Sequence, residues 1–344
     1  MSTLKNKKTQ LILLAVLMVI LILLPLVGNL SVSVMSIIIT VMLYMYYASA
    51  WNIMGGYTGL FSLGSGVYIG LGAYITGCLY KYVGISPFIG IIIAGIAVGA
   101  FAMLLGYPTF KLQALYYSLA TFAILQVFLT IFKNYKYIFG IKTGAAEGFK
   151  INASNEPLNM VFSGKLPYYY IILILLVIVV ATSYYISHHK DGFYFRAISA
   201  NADAAASLGV NVLQMKMKAQ FVSAFFLAVG GGFYCMFMNY IDPSKLFGND
   251  LSITVMIMCV VGGANTLAGP IVGAGLLYTI DRVITIYAST ISGLADIIYG
   301  LILIAVVMLM PGGLLPYFKE MRENSAAKKR KAELEKQQQE GGAA

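Results

Sequence analysis

His188 and His189, the only two histidines in the chain, stand side by side in a polar connection. Acid–base or nucleophilic chemistry would need carboxylates or a hydroxyl arranged around them. No paired carboxylates and no Ser/His/Asp set can be assembled there, so both read as solvated loop residues and no catalytic residue is expected. Ser163-Gly164-Lys165-Leu166 has the Gly-Lys pair of a phosphate-binding loop, but it lacks the upstream glycine and the Ser or Thr that must follow the lysine. If ATP drives this protein, another chain binds it. Cys78, Cys235 and Cys259 lie in apolar segments without ligand-like spacing, so a structural role is expected for them and neither a metal nor a cofactor is implied.

A second chemistry, proton or sodium coupling, would need Asp, Glu or His in mid-membrane. Asp281 and Arg282 fall late in one apolar run and Asp296 at the start of the next. All three are therefore expected near the outer surface as an interfacial ion pair rather than a proton relay. Glycine is more informative. The run GGYTGLFSLGSGVYIGLGAY, Gly55 to Tyr74, combines seven glycines with Thr58, Ser62 and Ser65. Its first half is expected not to be an ordinary lipid-facing helix, because each Gly weakens the helix and exposed backbone would lack partners, while the small residues from Gly66 onward allow close helix packing. VVGGANTLAGPIVGAG, Val260 to Gly275, is a second such place. Glycine-interrupted short segments in the two halves of a transporter point to a substrate pathway. Thr58, Ser62, Gly64, Ser65, Gly262, Gly263 and Asn265 are its candidate lining residues, tight packing without a pathway being the alternative.

The elements that must position these residues follow from composition. Of 344 residues, 60% are hydrophobic and 10% charged, with a mean hydropathy of +0.83. This is the balance of a polytopic membrane protein, not of a soluble domain. Runs near the roughly 20 residues a span needs are Leu11 to Val27, Ser31 to Ala50, Pro87 to Gly106, Leu112 to Phe132, Tyr168 to Ser187, Ala219 to Asn239, Gly269 to Ala288 and Ala295 to Met310. Gly66 to Tyr80 and Leu251 to Gly263 are shorter. The expectation is an all-α polytopic membrane protein of about ten spans over residues 1–318, followed by a basic, polar tail over residues 319–344.

The first run, with Lys5, Lys7 and Lys8 before it, reads as a retained helix rather than a cleaved signal. Placing both termini and the loop 188–218 in the cytoplasm puts most Lys and Arg inside. The exception is the outer loop 133–167 with its lysines. The net charge of +10 is dispersed over these segments, which suits anionic lipid headgroups rather than nucleic acid.

Within the loop 188–218, RAISANADAAASLGVNV (Arg196 to Val212) reads as a short exposed helix with a built-in stop. Asn201 caps its N-terminus, Asp203 complements the helix dipole, and Ala204 and Ala205 supply propensity without bulk. Gly209 is placed to take the left-handed conformation that ends it.

Several blocks resemble one family in order across about residues 40 to 315. These are the glycine run from Gly56, KLQALYYSLATFAI, TGAAEG, RAISANADAAASLGVNV, VVGGANTLAGPIVGA and MPGGL. Together they are similar to the ABC-type permeases that import branched-chain amino acids, of the LivM-type membrane subunit. The resemblance implies a heterodimer with a second related permease, two cytoplasmic ATPase subunits, an external binding protein and a place in the bacterial cytoplasmic membrane. It also implies that the short helix docks on the ATPase, through a signature of Glu-Ala-Ala, three residues, then Gly. Here Asp203-Ala204-Ala205 precedes Gly209 at that spacing, and Arg196, Asn201, Asp203, Ala204, Ala205 and Gly209 become the candidate coupling residues. Asn265 replaces a family glycine and is expected to keep a left-handed turn. Ala145 replaces a glycine after Thr-Gly. Permeases for urea, short amides or nucleosides share these signatures and are the alternative reading. A self-sufficient secondary carrier is the alternative of a different class.

Overall fold

The computed structural model of the chain describes residues 31–138, 141–151, 159–162 and 164–287, with Pro25 and scattered positions between 297 and 321. The expected spans Leu11 to Val27 and, but for scattered positions, Ala295 to Met310 lie outside the described residues, as does the tail apart from Met321.

Among the described residues the chain is all-α, with seven helical stretches long and apolar enough to cross a membrane. The first is α1, Val32–Thr58, capped by Ser31 and closed by Gly59 at φ 71°. After it comes α2, Ser65–Cys78, which is extended by a wide π-turn over Leu79–Val83 to Gly84. The expected short span Gly66 to Tyr80 is therefore a short α-helix plus a π-turn. Next are α3, Pro87–Thr109, α4, Ala114–Asn134, and α5, Leu166–His188. Two helices, α6, Lys190–Ala200, and α7, Ala202–Ser207, separate α5 from α8, Val212–Met238. The short α9, Pro243–Leu246, leads into α10, Asn249–Gly263, and the two together span 21 residues. Last is α11, Gly269–Tyr287.

Two antiparallel two-residue ladders lie in the connections. β1, Tyr137–Ile138, pairs with β2, Ile141–Lys142, and β3, Phe149–Lys150, pairs with β4, Tyr240–Ile241. The second ladder pins the α4–α5 connection to the end of α8. Successive helices run in alternate directions, so this connection and the α6–α7 segment sit at opposite ends of the bundle. Below they are called the Tyr240 end and the Asn201 end.

Lipid tails are as apolar as leucine, so helices in a membrane associate through close contact rather than through exclusion of water. The centre of the bundle shows this. Gly72 of α2 lies so close to Ala228 of α8, and Gly231 of α8 so close to Ile69 of α2, that a Cβ at either glycine would run into the facing backbone carbonyl. This matches the close packing expected from Gly66 onward. Around it, the Tyr46 hydroxyl on α1 donates to the Phe226 carbonyl on α8 at 2.7 Å. Gln220 of α8 is buried and hydrogen-bonded to Tyr68 of α2 and Tyr117 of α4.

A Cβ at Gly72 would have to part the two backbones, and overpacking of this kind costs about 1–3 kcal/mol. Gly72→Val is therefore expected to lower the thermal midpoint of the detergent-solubilised protein and its steady-state level in the membrane. Gly84→Ala, whose added methyl meets nothing within 4 Å, should leave the membrane level nearly unchanged and lose only the left-handed preference at φ 75°.

Candidate functional site

The first interruption of the bundle is the stretch between α1 and α2, and side chains take up the backbone groups it frees. Trp51 Nε1 donates to the Ser62 carbonyl at 2.8 Å. The Leu63 N–H donates to Thr121 Oγ1 at 3.1 Å, Ser118 Oγ donates to the Phe61 carbonyl at 2.6 Å, and the Gly64 N–H reaches Ser62 Oγ at 3.3 Å. On entry to α2 the Gly66 N–H donates to Ser252 Oγ of α10 at 2.8 Å. Thr58 turns its hydroxyl back onto the Met54 carbonyl at 2.6 Å. Ser65 is buried and its Oγ has no hydrogen-bond partner among the described residues.

The second interruption is the turn from α10 to α11. Asn265 there adopts φ +64°, the left-handed conformation expected of it, and Gly263 has φ 117°. Gly262 packs against Gly269, and Gly263 lies against Pro316 and Gly313 of the MPGGL block. The turn is held from α1. Asn52 Oδ1 accepts from the Asn265 N–H at 2.9 Å and from Cys259 Sγ at 3.5 Å, while its Nδ2 donates to the Thr266 carbonyl at 2.9 Å.

Trp51 and Asn52 are neighbours, and the residues four places on are Gly55 and Gly56. A Cβ at Gly55 would run into the Trp51 ring, and one at Gly56 into the Asn52 carboxamide. The two glycines thus sit inside α1, but buried within the bundle rather than facing lipid. They leave room for the side chains that pin the two interruptions. The break itself begins only at Gly59. Neither Trp51 nor Asn52 was singled out from sequence, although a lone Trp and an Asn, each four residues ahead of a glycine in an apolar helix, were the available signal.

The seven candidate pathway residues lie along these two pinned breaks; the end of α1 meets α6, while Gly64 faces Thr121 of α4 and Gly66 faces Ser252 and Leu246. A Cβ on Gly59 would lie 2.6 Å from Ser199 Oγ of α6. Helix α6 is tied down by Arg196, whose Nη2 donates to the Ser187 carbonyl at 3.2 Å and whose guanidinium covers the Phe193 ring, and by a 3.9 Å ion pair between Asp191 and Lys218. In α7, Asn201 Oδ1 accepts from the N–H groups of Asp203 and Ala204, both at 3.0 Å. Gly209 closes the helix at φ 85°, with its N–H on the Ala206 carbonyl at 2.9 Å. Ala205 is buried against the protein itself, whereas Asp203, Ala204 and Ser207 are exposed and Leu208 is 86% exposed.

A cavity of about 740 Å³ opens at the other, Tyr240 end. Its walls come from the first half of α1, the last turn of α8, the segment from Asp242 to Thr254, and the end of α11, and none of the seven candidate pathway residues lines it. Tyr44, Tyr47, Tyr234 and Tyr278 line it beside Asp242, Lys245, Asp250 and Arg282. The expected Asp281–Arg282 pair is present at 3.8 Å, and Arg282 Nε also donates to the Tyr278 hydroxyl at 2.8 Å. Asp296 lies outside the described residues.

An all-helical bundle of apolar spans, interrupted at two glycine-rich breaks and carrying a short capped helix outside the spans, is the architecture of a polytopic membrane permease. The chain belongs to the branched-chain amino acid transport system permease component family, whose model matches residues 33–307. It is similar to a probable branched-chain amino acid transport permease protein LivH of Methanocaldococcus jannaschii, with 24% identity over 257 residues, 73% of this chain and 80% of the relative. It is also similar to the high-affinity branched-chain amino acid transport system permease protein LivM of Escherichia coli, with 23% identity over 316 residues, 83% of this chain and 71% of the relative. The LivM protein of Salmonella typhimurium matches at 23% over 308 residues. No solved structure matches the chain.

Asn52→Leu would leave the Asn265 N–H and the Thr266 carbonyl unpaired, at a cost of about 1–3 kcal/mol for each buried group. A clear drop in the thermal midpoint of the purified protein is expected, and a midpoint equal to the parent's would contradict the pinning role. Asn265→Gly should be tolerated, because glycine adopts φ +64° freely. Asn265→Val should destabilise, since a β-branched residue strongly resists that conformation.

Proposed function

We propose that the chain is the permease subunit of a binding-protein-dependent ABC importer in the cytoplasmic membrane, moving branched-chain or related hydrophobic amino acids. The single observation that carries this reading is the family match over residues 33–307, most of the described spans. The sequence lacks a phosphate-binding loop, so ATP hydrolysis is assigned to two separate cytoplasmic ATPase subunits. A second related permease completes the pathway, and an external binding protein delivers cargo. The names of the curated relatives favour branched-chain amino acids over urea, short amides or nucleosides.

In this reading the Asn201 end faces the cytoplasm and α7 is the helix that meets an ATPase. Its two turns are rigid because both ends are capped, and its outward face is small apart from Leu208. A protruding apolar side chain on a capped helix suits a groove in a partner better than it suits water. Ala205, which points into the permease, supports the helix from behind. Arg196, bound to Ser187, holds α6 in place. The domain division at residue 318 and the assignment of the basic tail to the cytoplasmic lipid surface complete the proposal.

Leu208→Asp and Ala204→Arg alter only the exposed face of α7 and should leave the membrane level of the permease unchanged. Both are expected to reduce copurification of the ATPase subunits and, with it, uptake by about tenfold or more. Normal copurification and normal uptake in both variants would remove the coupling role. Ala205→Arg is the less informative change, because it would disrupt the seating of α7 on its own chain.

Orientation has its own test. Single cysteines at Phe193 and Glu147 should react with a membrane-impermeant thiol reagent from opposite sides, Phe193 only in inverted vesicles and Glu147 in intact cells. Reaction of both from one side would overturn the arrangement.

A further inference from the structure

The cavity at the Tyr240 end contains charges that the fold does not neutralise. Asp250 sits in the first turn of α10 and Lys245 in the last turn of α9; both are exposed at the cavity, and neither makes a hydrogen bond or ion pair among the described residues. Asp242 already uses one carboxylate oxygen to cap α9, accepting from the Ser244 N–H at 2.9 Å. Arg282 is engaged through Nε with Tyr278 and Asp281, which leaves its terminal Nη groups without a partner among the described residues.

The guanidinium is also held in place. It lies 4.9 Å from the centre of the Tyr278 ring, and that ring stacks on Tyr44 with centroids 4.6 Å apart. An arginine fixed by its Nε and by an aromatic face presents its remaining donors to a carboxylate without a large loss of side-chain freedom. Tyr47 is 2% exposed, lines the same cavity, and has a hydroxyl with no hydrogen-bond partner among the described residues. Ile37, Met238 and Leu251 supply apolar wall between these polar groups.

We propose that this cavity is a binding site for a free zwitterionic amino acid. Arg282 takes the α-carboxylate, Asp250 takes the α-ammonium, and the aliphatic side chain lies against Ile37, Met238 and Leu251. The inference rests on the amino-acid permease reading and deepens it. The charge pattern suits the ligand class. Carboxylates and cations line the cavity together, Asp250 and Lys245 without partners among the described residues and Arg282 paired only through Nε with Asp281, so the site offers groups for both ends of a zwitterion. A neutral cargo such as urea or a nucleoside would leave the Asp250 carboxylate without a counter-charge. The volume lies within the range of about 300–1,000 Å³ usual for small-molecule sites.

The test uses the complete importer, with its ATPases, partner permease and binding protein, reconstituted in liposomes and supplied with radiolabelled leucine. Arg282→Gln and Asp250→Asn are each expected to lower leucine uptake at least tenfold while the affinity of the binding protein for the permease stays within twofold of the parent. Arg282→Lys should recover part of the loss, because it restores the charge without the fork. Asp250→Asn changes an exposed side chain without structural bonds, so it carries the test should Arg282→Gln fail to assemble. Normal uptake in Asp250→Asn would overturn the site. Loss of uptake explained by weaker attachment of the binding protein would also overturn it, and would make this face a docking surface. A parent importer that takes up a neutral solute but none of the proteinogenic amino acids would instead defeat the amino-acid reading, and this site with it.

Discussion

In hydrocarbon a helix can be interrupted only where other groups take over the hydrogen bonds its backbone gives up, and the arrangement of this permease depends on that requirement. Two consecutive residues of α1 meet it for both interruptions. Trp51 reaches the Ser62 carbonyl of the first, and Asn52 binds the Asn265 N–H and the Thr266 carbonyl of the second. Gly55 and Gly56 are the complement of this pair. Each leaves the space, one helical turn on, into which the earlier side chain folds. The glycines cost helix propensity of about 1 kcal/mol each relative to alanine, and that loss is offset by several buried polar groups which would otherwise be orphaned.

The parts of this design that are local in sequence were legible there. The cap and stop of α7 follow from Asn201 and Gly209, because capping involves residues within one turn of each other. The left-handed turn at Asn265 followed from the short list of residues that tolerate it. Apolar run length gave the spans, although α1 and α8 extend beyond the expected runs, to Thr58 and back to Val212. Their added turns lie inside protein, where apolarity alone no longer marks the helix. That the helix continues through Gly55 and Gly56 was not legible, because glycine propensities describe a helix with nothing packed on it. The departure at Ala145 shows the opposite case. It stands where the family pattern has glycine and holds φ +50°, a strained value for alanine, at a place that the Gly148 and Tyr240 contacts fix.

The cavity was not legible because no segment contains it. Its charged groups come from the Asp242–Asp250 connection and the end of α11, and its tyrosines from α1, α8 and α11. Each is unremarked in its own stretch, and Arg282 beside Asp281 looked complete as an interfacial pair. Only the tertiary arrangement shows that the terminal donors of Arg282 are unspent. The burial of Ala205 was hidden for a related reason. A six-residue helix has no periodicity long enough to mark its inner face.

The two ends of the molecule are joined through the same residue that holds the second break. Asn52 ties α1 to the turn between α10 and α11 at the Asn201 end, and these three helices are among those that wall the cavity: Ser36 to Tyr47 from α1, Asp250 to Thr254 from α10, and Tyr278 to Ile286 from α11. An α-helix rises 1.5 Å per residue, so the 27 residues of α1 reach roughly 40 Å, from the cavity wall to the Gly59 contact with Ser199. α1 and α11 also meet at the cavity, where Tyr44 stacks on Tyr278 with centroids 4.6 Å apart, and at the Asn201 end α1 touches the segment that carries α7. A continuous series of hydrogen bonds and close contacts thus runs from the segment carrying the exposed capped helix, through Asn52 and α1, to the wall of the charged cavity.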